Sequence, residues 1–267
     1  MKKLILILVI SNITLFWYIL SNLIEKSFVA FLDVGQGSSV LIYNHKFQIL
    51  YDAGPPGFKV INKLNKYMPF YDKYIDVVII SHPDKDHYGG LFSIIERYKL
   101  GLVIINPQIV SESTYQKLIK KLIEREIPII ALKQGDKIIT DKEELYILNP
   151  PNQLFKTDNQ NSLVIKMIKN NKNFLLSGDI DHKVEKYLIK KFGQNLTVDY
   201  FLVPHHGSRY SSSDEFLSFL QYLSDPFGII QVGDNNYGHP HKETLFRLNK
   251  LGISYWRTDL NGDFLIY

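Results

Sequence analysis

The stretch Val77-Val78-Ile79-Ile80-Ser81-His82-Pro83-Asp84-Lys85-Asp86-His87 decides how the rest of the chain is read. Its first half is an unbroken apolar run, the pattern of a strand buried on both faces. Its second half places His82, Asp84, Asp86 and His87, four candidate metal ligands, within six residues. A buried strand that ends in a turn aims alternate side chains at one point. His82 and Asp84 can therefore share one cation while Asp86 and His87 reach a second. Gly89-Gly90 then let the chain enter a helix at close quarters. A solvated polar loop is the alternative, but such loops rarely carry two histidines and two aspartates at this spacing directly behind a wholly apolar strand.

Working outward, short β-rich runs at 28–34, 39–43 and 47–52 precede this motif, separated by Gly35-Gln36-Gly37 and Asn44-His45-Lys46. Helical periodicity follows at 90–99, 113–125, 182–192, 214–223 and 242–251, each stretch flanked by apolar strand-like segments. A β-meander followed by alternating β and α fits an α/β (α+β) protein in which two sheets pack on one another under outer helices. We therefore expect a four-layer αββα sandwich and not a doubly wound single sheet. No internal repeat, low-complexity linker or composition shift divides residues 27–267, which read as one unit.

The remaining candidates also stand at the ends of apolar strands. Asp179 follows an apolar run at 174–176 and a Ser-Gly turn, and a carboxylate exposed there can bridge two cations. The competing role is a helix N-cap, open to Asp179 or Asp181 before the helix near His182. His205 and His206 end another apolar run, 200–203. Neighbours on a strand point to opposite sides, which leaves one of the two as a ligand. Gly207-Ser208 offer backbone N–H groups and a hydroxyl suited to an oxyanion, making Ser208 a candidate phosphate contact. His239 and His241 either close a pocket over substrate or cap the helix beginning near Lys242, whose Leu245, Leu248 and Leu251 read as core packing. Trp256 and Arg257 read as structural, His45 as a surface turn residue and His182 as a helix-start residue.

The chain has 267 residues, 45% of them hydrophobic, enough for one sizeable core. A net charge of +4 tolerates a polyanion without proving one. The absence of cysteine excludes thiolate catalysis, disulfides and Cys-based zinc sites, so any metal must sit on His, Asp, Glu or Asn. Lys2 and Lys3 precede an uncharged run of 21 residues, 4–24, which as a helix spans roughly 30 Å, the thickness of the bilayer hydrocarbon. Ser11, Asn12, Thr14, Ser21 and Asn22 dilute it, yet no small-residue cleavage pattern follows. Residues 1–26 are therefore expected to be an uncleaved single-pass signal anchor, with Lys2 and Lys3 inside and the catalytic unit extracytoplasmic. A buried apolar helix is the alternative.

Ser-His-Pro-Asp-Lys-Asp-His resembles the signature of the metallo-β-lactamase superfamily, with Asp84 where histidine is usual. Further stretches agree in order: 31–39 around Gly35-Gln36-Gly37, Asp52-Ala53-Gly54, Leu176-Ser177-Gly178-Asp179, His205-His206-Gly207-Ser208 and Tyr237-Gly238-His239-Pro240-His241. Together they resemble the C-terminal metallo-β-lactamase-like domain of the ComEC family of DNA-uptake proteins. That resemblance implies Asp179 as a bridging ligand, His206 on the second metal, and His205 on the substrate phosphate or leaving group. The superfamily's further histidine ligand is matched by Asn161, which is expected on the substrate side of the site with Ser208, His239 and His241. Two carboxylates, a carboxamide and few imidazoles imply manganese before zinc as the pair of divalent cations. Asp86 and His205 would handle protons. The ComEC family also carries a multi-helix channel, so this chain is expected to be a stand-alone relative working beside a separate uptake channel. The implied activity is phosphodiester hydrolysis, first of DNA. A phosphorylcholine ester, a small nucleotide, or a non-catalytic DNA-binding module are the alternatives, and the want of a clear basic stripe with interleaved aromatics stands against DNA.

Overall fold

The computed structural model describes the backbone of residues 2–23 and 27–267 and, within 2–23, the side chains of residues 2, 3 and 5–17. Helix α1 (Lys2–Leu23) comes first. Among the described residues no helix is long and apolar enough to cross a membrane. The expected span at 4–24 and the expected boundary after residue 26 both run through positions outside the described set.

Two seven-stranded sheets follow, each a meander extended by parallel strands. In the first, β1 (Ser27–Phe31), β2 (Val40–Asn44) and β3 (Phe47–Tyr51) are antiparallel, and β4 (Tyr74–Ile79), β5 (Lys99–Ile105) and β6 (Ile129–Ala131) continue in parallel. In the second, β7 (Lys137–Ile139), β8 (Glu143–Asn149), β9 (Val164–Lys169) and β10 (Lys172–Leu176) are antiparallel. The parallel strands β11 (Tyr200–Leu202), β12 (Phe227–Ile230) and β13 (Tyr255–Arg257) extend it. The last strand, β14 (Phe264–Ile266), returns to the first sheet beside β1. Parallel neighbours need crossovers, which the helices supply. These are α2 (Lys59–Tyr67), α3 (Lys85–Tyr88), α4 (Leu91–Ile95) and α5 (Ser113–Glu124) in the first half. In the second half they are α6 (His182–Phe192), α7 (Asp214–Leu223) and α8 (Lys242–Lys250), while α9 (Thr258–Asn261) leads from β13 to β14 in the other sheet.

Strand periodicity sorts the apolar side chains into three cores. Along β1, Val29 and Phe31 meet Leu163, Phe174 and Leu202 between the sheets, while Phe28 and Ala30 join Val60, Leu64 and Leu118 under the helices of the first sheet. On the far side Leu175, Phe201 and Ile230 pack beneath Val184, Leu188 and Phe216. The central strands are buried on both faces, which is why β1 to β4 read as continuous apolar runs, while the edge strands β6 and β7 are largely exposed. The layers are helix, sheet, sheet, helix, the sandwich expected from the element order.

Local boundaries differ where the site intrudes. The expected strand at 28–34 stops at Phe31, because the chain turns there into a loop closed by Leu32 N–H donating to Ser39 O at 2.9 Å. The helix expected at 90–99 ends at Ile95, and Lys99 already belongs to β5. Helix α2 has no counterpart in the sequence reading, since only Val60, Ile61 and Leu64 of its nine residues are buried.

Candidate metal centre

All the site residues leave the carboxyl ends of strands or the loops beside them. Asp52 follows β3, 80–87 follow β4, Asp179 follows β10, and His205 and His206 follow β11. The parallel registers Tyr51↔Ile79 and Phe174↔Tyr200 align these ends, and Leu163 N–H donating to Ser81 O at 2.8 Å stitches the sheets together at the same level. A rigid scaffold thereby delivers distant residues to one point.

Asp179 lies at the centre, its side chain only 5% exposed. His87 Nε2 stands 3.2 Å from its Oδ1, and His206 Nε2, His205 Nε2 and His82 Nε2 stand 3.6, 3.6 and 3.8 Å from its Oδ2. Asp84 Oδ2 lies 3.4 Å from His82 Nε2, and Asp86 Oδ2 lies 3.3 Å from His206 Nε2. Two donor groups result: His82, His87 and Asp179, and Asp86, His87 and His206. Donors bound to one cation at about 2.0–2.2 Å stand roughly 3.0–3.6 Å apart, close to the spacings here. The chemistry of the set fits as well. His82 Nε2 is buried without a hydrogen-bond partner, and Asp84 opens α3 without using its carboxylate as a cap. The fold family binds divalent metals, usually two, and these residues could hold them.

Each imidazole is oriented from behind. His87 Nδ1 meets Asp52 Oδ2 at 2.7 Å, His206 Nδ1 meets Gln231 O at 2.8 Å, and His82 Nδ1 meets Ser81 Oγ at 2.9 Å. With Nδ1 so engaged, Nε2 is left to face Asp179. Asp52 is itself fully buried and also accepts from Ser81 N–H at 2.7 Å and Ser81 Oγ–H at 2.8 Å. Gly37 is required beside it: with φ of +142°, a Cβ there would sit 2.3 Å from Asp86 O, the carbonyl that accepts from Ser38 N–H.

The electrostatics follow from this crowding. Burial opposes charge on Asp179, but His87, His206, His205 and His82 hold its carboxyl well below the usual range. Burial likewise opposes Asp86, and hydrogen bonding from His206 with the charge of His87 lowers it. Burial works against protonation of His87, yet Asp179 and Asp52 raise it well above an ordinary histidine. His206 rises because Asp179 and Asp86 outweigh its burial. His205 is pushed down by burial.

The structure brings His82, Asp84, Asp86, His87, Asp179, His205 and His206 together. The expectation that only one of the last pair points inward rested on their lying in a strand. They lie instead in a turn where His205, His206 and Gly207 take φ of 52°, 54° and 80°, and this left-handed run swings both rings toward Asp179. The N-cap question resolves by residue: Asp181 Oδ1 accepts from Lys183 and Val184 N–H, leaving Asp179 to the site. Asn161 is not brought to the ligands. Its Oδ1 accepts from Phe155 N–H at 2.8 Å and its Nδ2 donates to Phe155 O and Thr157 O, so its amide is spent on its own loop. Ser162 beside it approaches more closely, its Oγ accepting from Asp179 N–H at 3.1 Å.

Beyond His205 opens a cleft of about 490 Å³ lined by Ser208, Tyr210, Tyr237, His239 and His241. Ser208 is nearly buried and its Oγ accepts from Tyr210 N–H, while its backbone N–H is taken by His205 O. The His239 ring stands 5.4 Å from that of His205, and burial with the charge of His205 and His206 pushes it down to about 4. His241 caps α8, its Nδ1 accepting from Glu243 N–H at 3.4 Å, so capping and cleft lining coincide in one residue. Asp52, Gln231 and Asn235 had no assigned role in the sequence reading. Asn235 holds the 235–239 loop by accepting from Tyr237 and His239 N–H.

Residues 32–225 match the metallo-β-lactamase superfamily, and the chain belongs to that superfamily. Its relatives include two competence proteins of the ComEC family. It is 29% identical to ComE operon protein 3 of Bacillus subtilis over 88% of this chain and 32% of that one. It is 27% identical to competence protein ComA of Neisseria gonorrhoeae over 89% of this chain and 32% of that one. The chain thus spans about a third of the length of these relatives. Among solved structures, the metallo-β-lactamase fold protein YhfI of Bacillus subtilis superposes with a TM-score of 0.60 at 11% identity, covering 90% of this chain and 99% of that one, a likeness of fold.

Proposed function

We propose that this protein is a metal-dependent phosphodiesterase that cuts DNA, tethered to a membrane through α1. The observation that carries the reading is the set of three buried imidazoles, each oriented through Nδ1, converging on Asp179 beside an open cleft. His82 and Asp84 would hold one cation, Asp86, His87 and His206 the other, with Asp179 between them. Two divalent cations so held would supply Lewis acidity and a water of lowered pKa. His205, at the mouth, is the group placed to contact the phosphate or the leaving oxygen. The competence relatives support DNA as the polymer.

Helix α1 supports the tether. Asn12 Nδ2 and Thr14 Oγ1 donate to Leu8 O and Ser11 O, which lowers the cost of placing these polar residues in lipid. With His87 given to the other cation, the Asp84 side would hold Asp84, Asp179 and His82, two carboxylates against one imidazole, and that would favour manganese, which accepts oxygen donors more readily than zinc does. The test is to strip the protein of metal and restore it ion by ion on bis(p-nitrophenyl) phosphate and on DNA. Manganese should restore most activity, and Asp84→His should move the optimum toward zinc. Full turnover of the unmodified protein with zinc alone would refute the manganese reading, and no turnover of either ester with any ion would refute the phosphodiesterase.

A further inference from the structure

The cleft beside His205 carries chemistry that phosphodiester cleavage alone does not require. Tyr237 and Tyr210, which line it, are 74% and 64% exposed, although a tyrosine ring has more to gain from burial than any polar residue around it. Arg209 and Lys242 line the same cleft and are exposed. The Arg209 guanidinium lies over the Tyr210 ring at 5.3 Å from its centroid, a cation already on an aromatic face. The Tyr237 ring stands 5.9 Å from His239, which in turn is 5.4 Å from His205, so the aromatic row leads directly to the ligand cluster.

Single exposed aromatics are ordinary, but two flanking one cleft with two cations beside a phosphodiester site make a coherent set. We infer that Tyr210 and Tyr237, with Arg209 and Lys242, form a base-stacking platform that takes an unpaired stretch of nucleic acid and directs the site to single strands. The inference rests on the phosphodiesterase reading and deepens it. Exposed rings recognise the π-faces of unstacked bases, which a duplex hides, while Arg209 and Lys242 meet the phosphates between them. A duplex reader would need a basic track along the backbone longer than the two cations of this cleft. These four residues are the aromatic and basic footprint that is scattered in the sequence, at 209–210, 237 and 242, and assembled only by the fold.

The test compares a single-stranded oligonucleotide, its duplex and bis(p-nitrophenyl) phosphate as substrates of the full chain and of Tyr210→Ala, Tyr237→Ala, the double variant and the corresponding Phe variants. The Ala variants should lower the ratio of single-strand to small-ester kcat/KM by about tenfold each, chiefly through KM, with Phe restoring most of it. An unchanged ratio in the double variant, or equal losses on single strand and duplex, would overturn the platform. Anisotropy of a fluorescent oligo-dT with the same variants separates this from the parent reading. If neither ester is hydrolysed but oligo-dT binding still weakens about tenfold on Tyr→Ala, the platform stands without the nuclease. If binding is unaffected, the platform falls.

Discussion

At the residue scale, Asp52 decides whether His87 presents a lone pair to the site. Its Oδ2 lies 2.7 Å from His87 Nδ1, so a neutral His87 keeps its proton there and turns the Nε2 lone pair toward a cation. An amide in its place would keep the hydrogen bond from Ser81 N–H through its oxygen but turn its N–H₂ toward Nδ1, driving the histidine proton to Nε2. Asp52→Asn should therefore keep the fold and weaken metal binding about tenfold to a hundredfold. Titration of the metal-free variant checks this, and unaltered affinity would remove Asp52 from its positioning role. The sequence makes His82, Asp84, Asp86 and His87 legible because they are local. The stretch around Asp52 is legible as a motif but its role is not: it joins them only through the pairing of β3 with β4, where Asp52 N–H donates to Ile79 O. The two inward rings of His205 and His206 were equally hidden, since nothing but Gly207 in the sequence marks a left-handed turn.

At the element scale, the most informative attachment is that of β14 to α2. The side chain of Asp263 is 4% exposed and accepts from Asp33 N–H at 2.8 Å, Tyr67 Oη at 2.7 Å and Lys66 Nζ at 2.9 Å, and Lys63 Nζ lies 2.7 Å away. Burial opposes its ionisation, but these donors lower its pKa from 3.8 to about 2. A carboxyl with a folded pKa below its unfolded one adds stability above the unfolded value and loses it as pH falls through the folded one. Asp263 should therefore stabilise the protein fully above about pH 4 and lose that contribution between about pH 4 and 2. Unfolding scans should show Asp263→Asn destabilising at pH 7 but nearly neutral at pH 2; an equal loss at both would mean that the ion pairs contribute nothing. The helices at 182–192 and 214–223 were legible to the residue because Asp181 and Ser213 cap them. Helix α2 was not, because its burial comes from tertiary packing and too few apolar positions announce it.

At the scale of the whole molecule, both sheets point their parallel strand ends at the same centre, while β1 begins at Ser27, a strand's length from the loop that reaches it. If α1 is the tether with Lys2 and Lys3 inside, protease added to intact cells should digest the region after Lys26 and spare the N-terminus. Protection of that region until lysis would reverse the orientation. The layered sandwich was legible from the order of strand and helix runs, and the superfamily from motifs at strand ends. The use of Asn161 was not, because its nearness in sequence to the site says nothing of which hydrogen bonds its loop would claim.

The central claim is that one carboxylate joins two cation sites, and it is tested most directly by elemental analysis of Asp179→Ala beside the unmodified protein, with phosphodiester turnover measured on the same preparations. The unmodified chain should bind two divalent ions, and the variant should lose at least one and with it turnover. A folded Asp179→Ala protein that keeps both ions and its activity would contradict the claim.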